Sequence, residues 1–129
     1  MEGKIHLSDG EWKLMNLLWD RAPQTITELV RALASDTGWS KYTVIKMLSR
    51  MEEKGAVHYE EGGRAKRYYP AAERQAVALR ETRNFLKKVY GGSLGLMMSA
   101  LAEDHCLSRA ELEELHAILQ QAEEPCHDA

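Results

Sequence analysis

Apolar residues recur at three- and four-residue intervals along most of this chain, with one short run of strand-like alternation near its middle. The first helical period covers about 9–21, where Trp12, Met15, Leu18 and Trp19 share a face. Ala22, Pro23 and Gln24 interrupt it. Ile26, Leu29, Val30 and Leu33 then mark a second helix over about 26–35. A loop through Asp36 and Gly38 leads to Ser40, an N-cap residue for a third helix over about 41–54, and Gly55 stands where a left-handed C-cap is wanted. Val44, Met47, Leu48 and Met51 form its apolar stripe, while Tyr42, Thr43, Lys46, Ser49 and Arg50 fall largely on the other side.

Residues 57–60 and 66–69 read as two strands of a hairpin, with Gly62 and Gly63 expected to supply positive φ at the turn and Pro70 closing the second strand. The pattern is helical thereafter: a long helix over about 73–90 ending at Gly91 and Gly92, an apolar one over about 93–103, and a last one over about 109–123. In that last helix Leu112, Leu115, Leu119 and Ala122 repeat at three, four and three residues. Three starts carry the Ser/Thr-x-x-Glu capping box: Ser8 with Glu11, Thr25 with Glu28, and Ser108 with Glu111.

This order predicts a mainly α fold with a small β-hairpin wing. A winged helix-turn-helix domain would occupy 1–71, and a helical arm of three helices would occupy 72–129. The arm carries more apolar surface than it can hide alone, which points to dimerisation. Its expected interface residues are Leu86, Val89, Leu94, Met97, Met98, Leu101, Leu112, Leu115 and Leu119.

Charge sharpens the picture because it is uneven. The whole chain of 129 residues has a net charge of −3, yet 39–67 hold seven Lys or Arg against four Asp or Glu. A local cationic stripe on a helix and its wing is what a polyanion needs. Thr43 and Lys46 lie three apart beside Tyr42, giving base edges short polar groups to meet; Arg50, Arg64, Lys66 and Arg67 are placed for phosphates. A merely solvated helix face would also carry lysines, and Glu52, Glu53, Glu60 and Glu61 dilute the field. A winged-helix protein-interaction module is therefore the competing reading from another class.

Other classes recede. No stretch approaches the roughly 18 apolar residues of a membrane helix, and no signal-peptide pattern opens the chain, so membrane insertion is not expected and a cytoplasmic location is. Two cysteines make no disulfide framework. No Gly-rich phosphate loop, Gly-x-Ser-x-Gly or His-Glu-x-x-His motif is present, and His6, His58 and His116 are isolated, so neither enzyme activity nor a cofactor is expected.

The opening SDGEWKLMNLLW, the TITELV second helix, WSKYTVIKMLSRMEEKG, the wing ending in YYP and the C-terminal YGGSLGLMMSALAEDHCLSRAELEEL together resemble the penicillinase-repressor family of winged-helix regulators (the BlaI/MecI/CopY type), over about 5–124. The resemblance implies a homodimeric repressor of a short palindromic double-stranded operator. It assigns base reading to Tyr42, Thr43 and Lys46, phosphate contacts to Ser40, Lys41 and Arg50, and the wing to Arg64, Lys66 and Arg67. It also implies relief by a regulatory protease. The aligned bond is Ala100–Leu101, where the β-lactam-responsive members carry Asn–Phe. The copper-responsive branch uses paired Cys-x-Cys motifs that this chain lacks. It offers His105, Cys106, Cys126 and His127 in their place, so a copper- or zinc-responsive repressor is the alternative trigger.

Overall fold

The computed structural model describes residues 5–104 and 107–123. Eight elements follow in chain order: α1 (Asp9–Asp20), α2 (Ile26–Ala32), α3 (Lys41–Lys54), β1 (Val57–Glu61), β2 (Lys66–Pro70), α4 (Arg74–Tyr90), α5 (Leu94–Glu103) and α6 (Arg109–Ala122). They fall into two compact units, one reaching Thr82 and one beginning at Arg83, so α4 starts in the first and continues into the second. Ala72 and Val77 are buried in the first unit.

All three capping boxes form. Ser8, Thr25 and Ser108 each accept the N–H of the glutamate three residues on, and each glutamate carboxylate accepts the cap N–H in return. α2 is shorter than its apolar period suggested. It stops at Ala32, and the Leu33 carbonyl accepts N–H groups from Asp36, Thr37 and Gly38, closing a tight turn that still buries Leu33. α3 runs between the expected caps: Ser40 accepts the Thr43 N–H at 3.1 Å, and Gly55 adopts φ 83°.

β1 and β2 pair antiparallel from Val57 opposite Pro70 to Glu61 opposite Lys66, leaving a four-residue loop, Gly62 to Ala65. Of the two loop glycines only Gly63 has positive φ, at 134°, so the expectation of positive φ at Gly62 is corrected: a four-residue loop needs fewer left-handed residues than a two-residue turn. Gln24 adds a bridge to Tyr68, exchanging both backbone hydrogen bonds with it. Its side-chain amide donates 2.8 Å hydrogen bonds to the Leu17 and Arg21 carbonyls, satisfying the end of α1.

The core gathers Leu14, Met15 and Leu18 from α1, Leu29 from α2, and Val44, Leu48 and Met51 from α3. Tyr68 and Val57 of the hairpin close it on one side. Trp12 and Trp19 meet edge to face at 5.7 Å but stay half-buried, and the Trp19 indole donates to the Ala72 carbonyl at 3.0 Å.

Among the described residues one charged group lies inside. Glu11 is buried, and its carboxylate accepts hydrogen bonds from the Ser8 N–H and the Lys54 ammonium; Lys54 also donates to the His6 carbonyl at 2.8 Å. This joins the first turn of α1 to the last turn of α3. Burial pushes the Glu11 carboxyl up, but the Lys54 and Ser8 hydrogen bonds outweigh that and hold it below its ordinary value. The stabilisation is therefore present above the unfolded glutamate pKa of about 4.3 and is lost as pH falls through the lower folded-state value. Lys54→Met should cost about 1–3 kcal/mol at neutral pH in urea titrations. The deficit should narrow on acidification, because the carboxylate left without a cation protonates first in the variant. A deficit independent of pH would assign the effect to the lysine stem instead of its charge.

Candidate nucleic-acid interface

Seating α3 by Val44, Leu48 and Met51 decides what it shows to solvent. At about 100° per residue, Tyr42, Lys46, Ser49 and Arg50 lie opposite that stripe, with Thr43 on one flank and Ile45 on the other. Tyr42 is 69% exposed, and the Lys46 ammonium rests 5.5 Å from the centre of its ring. Tyr42, Thr43, Lys46, Met47 and Arg50 line an open depression of about 280 Å³. On the far side of Met47, α1 comes close: a Cβ at Gly10 would lie 2.9 Å from the Met47 Cε and 3.0 Å from the Trp39 ring, so a glycine there lets α3 approach.

A second depression, about 220 Å³, is lined by Thr25, Ile26, Thr27, Lys41, Arg64, Ala65 and Lys66. It brings the start of α3 and the hairpin loop together around three cations. The expected wing set therefore divides. Arg64 and Lys66 join Lys41, whereas Arg67 stands in register opposite Glu60. Alternation puts Arg67 on the other hairpin face, where His58 stacks on Tyr69 at 5.1 Å and the Tyr69 hydroxyl donates to Glu60 at 3.2 Å.

Lys66 lies 4.2 Å over the Tyr59 ring. Desolvation pulls its ammonium down, but the Tyr59 and Tyr68 oxygens and the Glu61 carboxylate together outweigh it and raise it above its ordinary value, so the charge is permanent at physiological pH. Ser40 is committed to structure: its hydroxyl caps α3 and donates to the Thr43 hydroxyl at 3.2 Å.

The second unit carries a surface of another kind. No residue of α5 or α6 is buried, and Leu94, Leu112 and Leu119 are exposed, as is Val89 of α4. Leu86, Met97, Met98, Leu101 and Leu115 are half-buried. Sequence reasoning omitted Phe85, Leu96 and Ile118, which are exposed alongside them. Phe85 and Ile118 flank the stripes at about 100° per residue, and Leu96 lies on the opposite side of α5 from Leu94, Met97, Met98 and Leu101, so periodicity did not select them. The Ala100–Leu101 bond lies within α5. His105, Cys106, Cys126 and His127 lie outside the described residues. Among the described residues no group of three His, Cys, Asp or Glu is placed to hold a metal ion, and no helix is long and apolar enough to cross a membrane.

Comparison with known proteins finds one family over most of the chain. The penicillinase-repressor family profile matches residues 7–121. The penicillinase repressor of Bacillus licheniformis is 30% identical over 115 residues, covering 89% of this chain and 90% of its own. The methicillin resistance regulatory protein MecI of Staphylococcus aureus (strain N315) is 26% identical over 122 residues, covering 94% of this chain and 99% of its own. Among solved structures, the DNA-binding domain of the repressor BlaI is similar at a TM-score of 0.50 and 28% identity, over 55% of this chain and 87% of that one.

Ser40 offers a check on the local geometry. Ser40→Ala should cost about 1 kcal/mol of stability in urea unfolding, and Ser40→Gly only a few tenths. Equal losses would mean that the hydroxyl is not the cap.

Proposed function

The chain belongs to the penicillinase-repressor family, and on that premise we propose that it is a homodimeric, DNA-binding transcriptional repressor of a palindromic operator. Family members are transcriptional repressors and not enzymes. The observation that carries the reading is the pairing of an α3 held by its apolar stripe with two cation-lined depressions on the side it presents to solvent.

B-DNA's major groove admits a helix, and each base pair shows a distinct donor and acceptor pattern there. α3 enters it with Tyr42, Thr43 and Lys46 toward base edges, while Arg50 reaches phosphate from the same depression. Lys41, Arg64 and Lys66 grip the neighbouring backbone as a group. Ser40 contributes by fixing Thr43 and by leaving its backbone beside Lys41, more than by a free hydroxyl. Arg67, turned to the opposite hairpin face, adds little.

The arm of α4, α5 and α6 supplies the second head. A partner copy covers Val89, Leu94, Leu112, Ile118 and Leu119, and so raises the effective concentration of one head for the second half-site. Relief follows from cutting Ala100–Leu101 by a regulatory protease in the cytoplasm. Within one subunit α5 buries no residue, so what resists its local opening for cleavage is the cover of the partner copy. The cut separates Leu112, Leu115 and Leu119 of α6 from the head, and single heads keep only weak, salt-sensitive binding.

Gel shifts on the chain's own upstream region test the reading. Lys46→Ala should weaken operator binding by about 1–3 kcal/mol while sparing mixed-sequence DNA. Arg64→Ala should weaken both about equally and lower the salt slope by about 1, whereas Arg67→Ala should change neither. Absence of any salt-dependent DNA affinity would leave the protein-interaction reading in possession. For the dimer, Leu119→Glu places a charge on an exposed apolar site and should yield monomers in sedimentation while the first unit stays folded. A dimer that survives it would place the interface elsewhere.

A further inference from the structure

We propose that Ile45 is a specificity-determining residue that reads the 5-methyl group of a thymine in the operator's major groove; this rests on the repressor reading above. Among the described residues Ile45 and Tyr42 are the large hydrophobic side chains that α3 exposes. Val44 and Leu48 are 0% exposed, whereas Ile45, between them in sequence, is 40% exposed. The core does not need it. Nor does the helix, since a β-branched residue lowers helix propensity relative to the nearby Lys41, Lys46 and Arg50.

Its position on the helix says what it meets. One turn back lie Lys41 and Tyr42, and one turn on lie Leu48 and Ser49. Lys41 belongs to the depression shared with Arg64 and Lys66, and Tyr42 to the one shared with Lys46 and Arg50. Ile45 therefore stands between the side chains directed at base edges and the cations that hold the adjacent backbone. A helix anchored on both sides in this way carries Ile45 into the groove. There an aliphatic group set against base amide and carbonyl edges would desolvate them with nothing in return. The thymine methyl is the one apolar group that the major groove presents. Ile45 is also stiff about χ1, so ordering it on contact loses little rotamer freedom.

The test removes the methyl alone. An operator is first selected from a random duplex library with the purified full chain, and each thymine of a half-site is then replaced by deoxyuracil. Wild-type protein should bind about three- to tenfold more weakly when one particular thymine per half-site is replaced. Ile45→Ala should lose a similar factor on the thymine operator and be indifferent to that uracil, and Ile45→Val should fall between. Circular dichroism and affinity for mixed-sequence DNA should be unchanged in both variants, since the residue is exposed and touches no phosphate. The proposal is overturned if no uracil weakens the wild type. It is equally overturned if the uracil penalty persists in Ile45→Ala, which would give the methyl to Tyr42, Thr43 or Met47. Selection that enriches no sequence, together with no salt-dependent DNA affinity, overturns the repressor reading and this inference with it.

Discussion

The functional surface of this protein depends on how α3 is seated. Val44, Leu48 and Met51 enter a core built by Leu14, Met15 and Leu18 of α1 and Leu29 of α2. Because a helix has a fixed angular period, burying those three positions settles the direction of every other side chain on it. Two local devices hold that rotation. The Ser40 cap and the left-handed Gly55 fix the ends of α3, and the Glu11–Lys54 pair ties its last turn to the first turn of α1. The close approach at Gly10 lets Met47 and Trp39 fill the remaining gap. Glu11 is buried while Lys54 reaches it from the surface, and removing the cation would leave the carboxylate inside without its partner, which is costly.

Electrostatics acts on this frame locally. The net charge of −3 says nothing about the DNA face, because the acidic excess lies in the C-terminal half of the chain. Within the hairpin, strand alternation sorts the cations. Lys66 faces Tyr59 and the depression that holds Lys41 and Arg64, and Arg67 faces Glu60. Proximity in sequence is thus a poor guide to which wing cations act together: neighbours on a strand point to opposite faces.

Much of this was legible in the sequence because caps and periodicity are short-range signals. The limits of α3 followed from Ser40 and Gly55, and all three capping boxes form as their spacing demands. What escaped had causes outside the local window. α2 was read too long because Leu33 keeps the apolar period while belonging to a turn. Glu11 was read as a cap alone, since its second partner, Lys54, lies 43 residues away. Gln24 looked like part of a helix breaker, yet it caps α1 and joins the hairpin through Tyr68, a contact no spacing rule reveals. Leu14 and Ile45 show the limit of binary patterning most directly. Both are apolar residues beside a stripe, and only packing separates the fully buried one from the one left exposed on α3.

The two units present opposite problems of solvation, and this makes the proposed dimer economical. The first unit hides its apolar residues and displays cations; α5 and α6 of the second bury nothing and display leucines. An arm of that kind is marginal by itself, because helices of 10 and 14 residues gain little from propensity without a packed face. Covering its leucines with a second copy stabilises the arm and couples the heads at once. The energy that orders the arm is then the same energy that doubles DNA contact. In the proposed scheme a single break in α5 removes both together and leaves the residues of α3 and the hairpin unchanged. On the proposed reading, that separation leaves the first unit free to differ in residues such as Ile45, and so in the sequence read, while the switch stays in the arm.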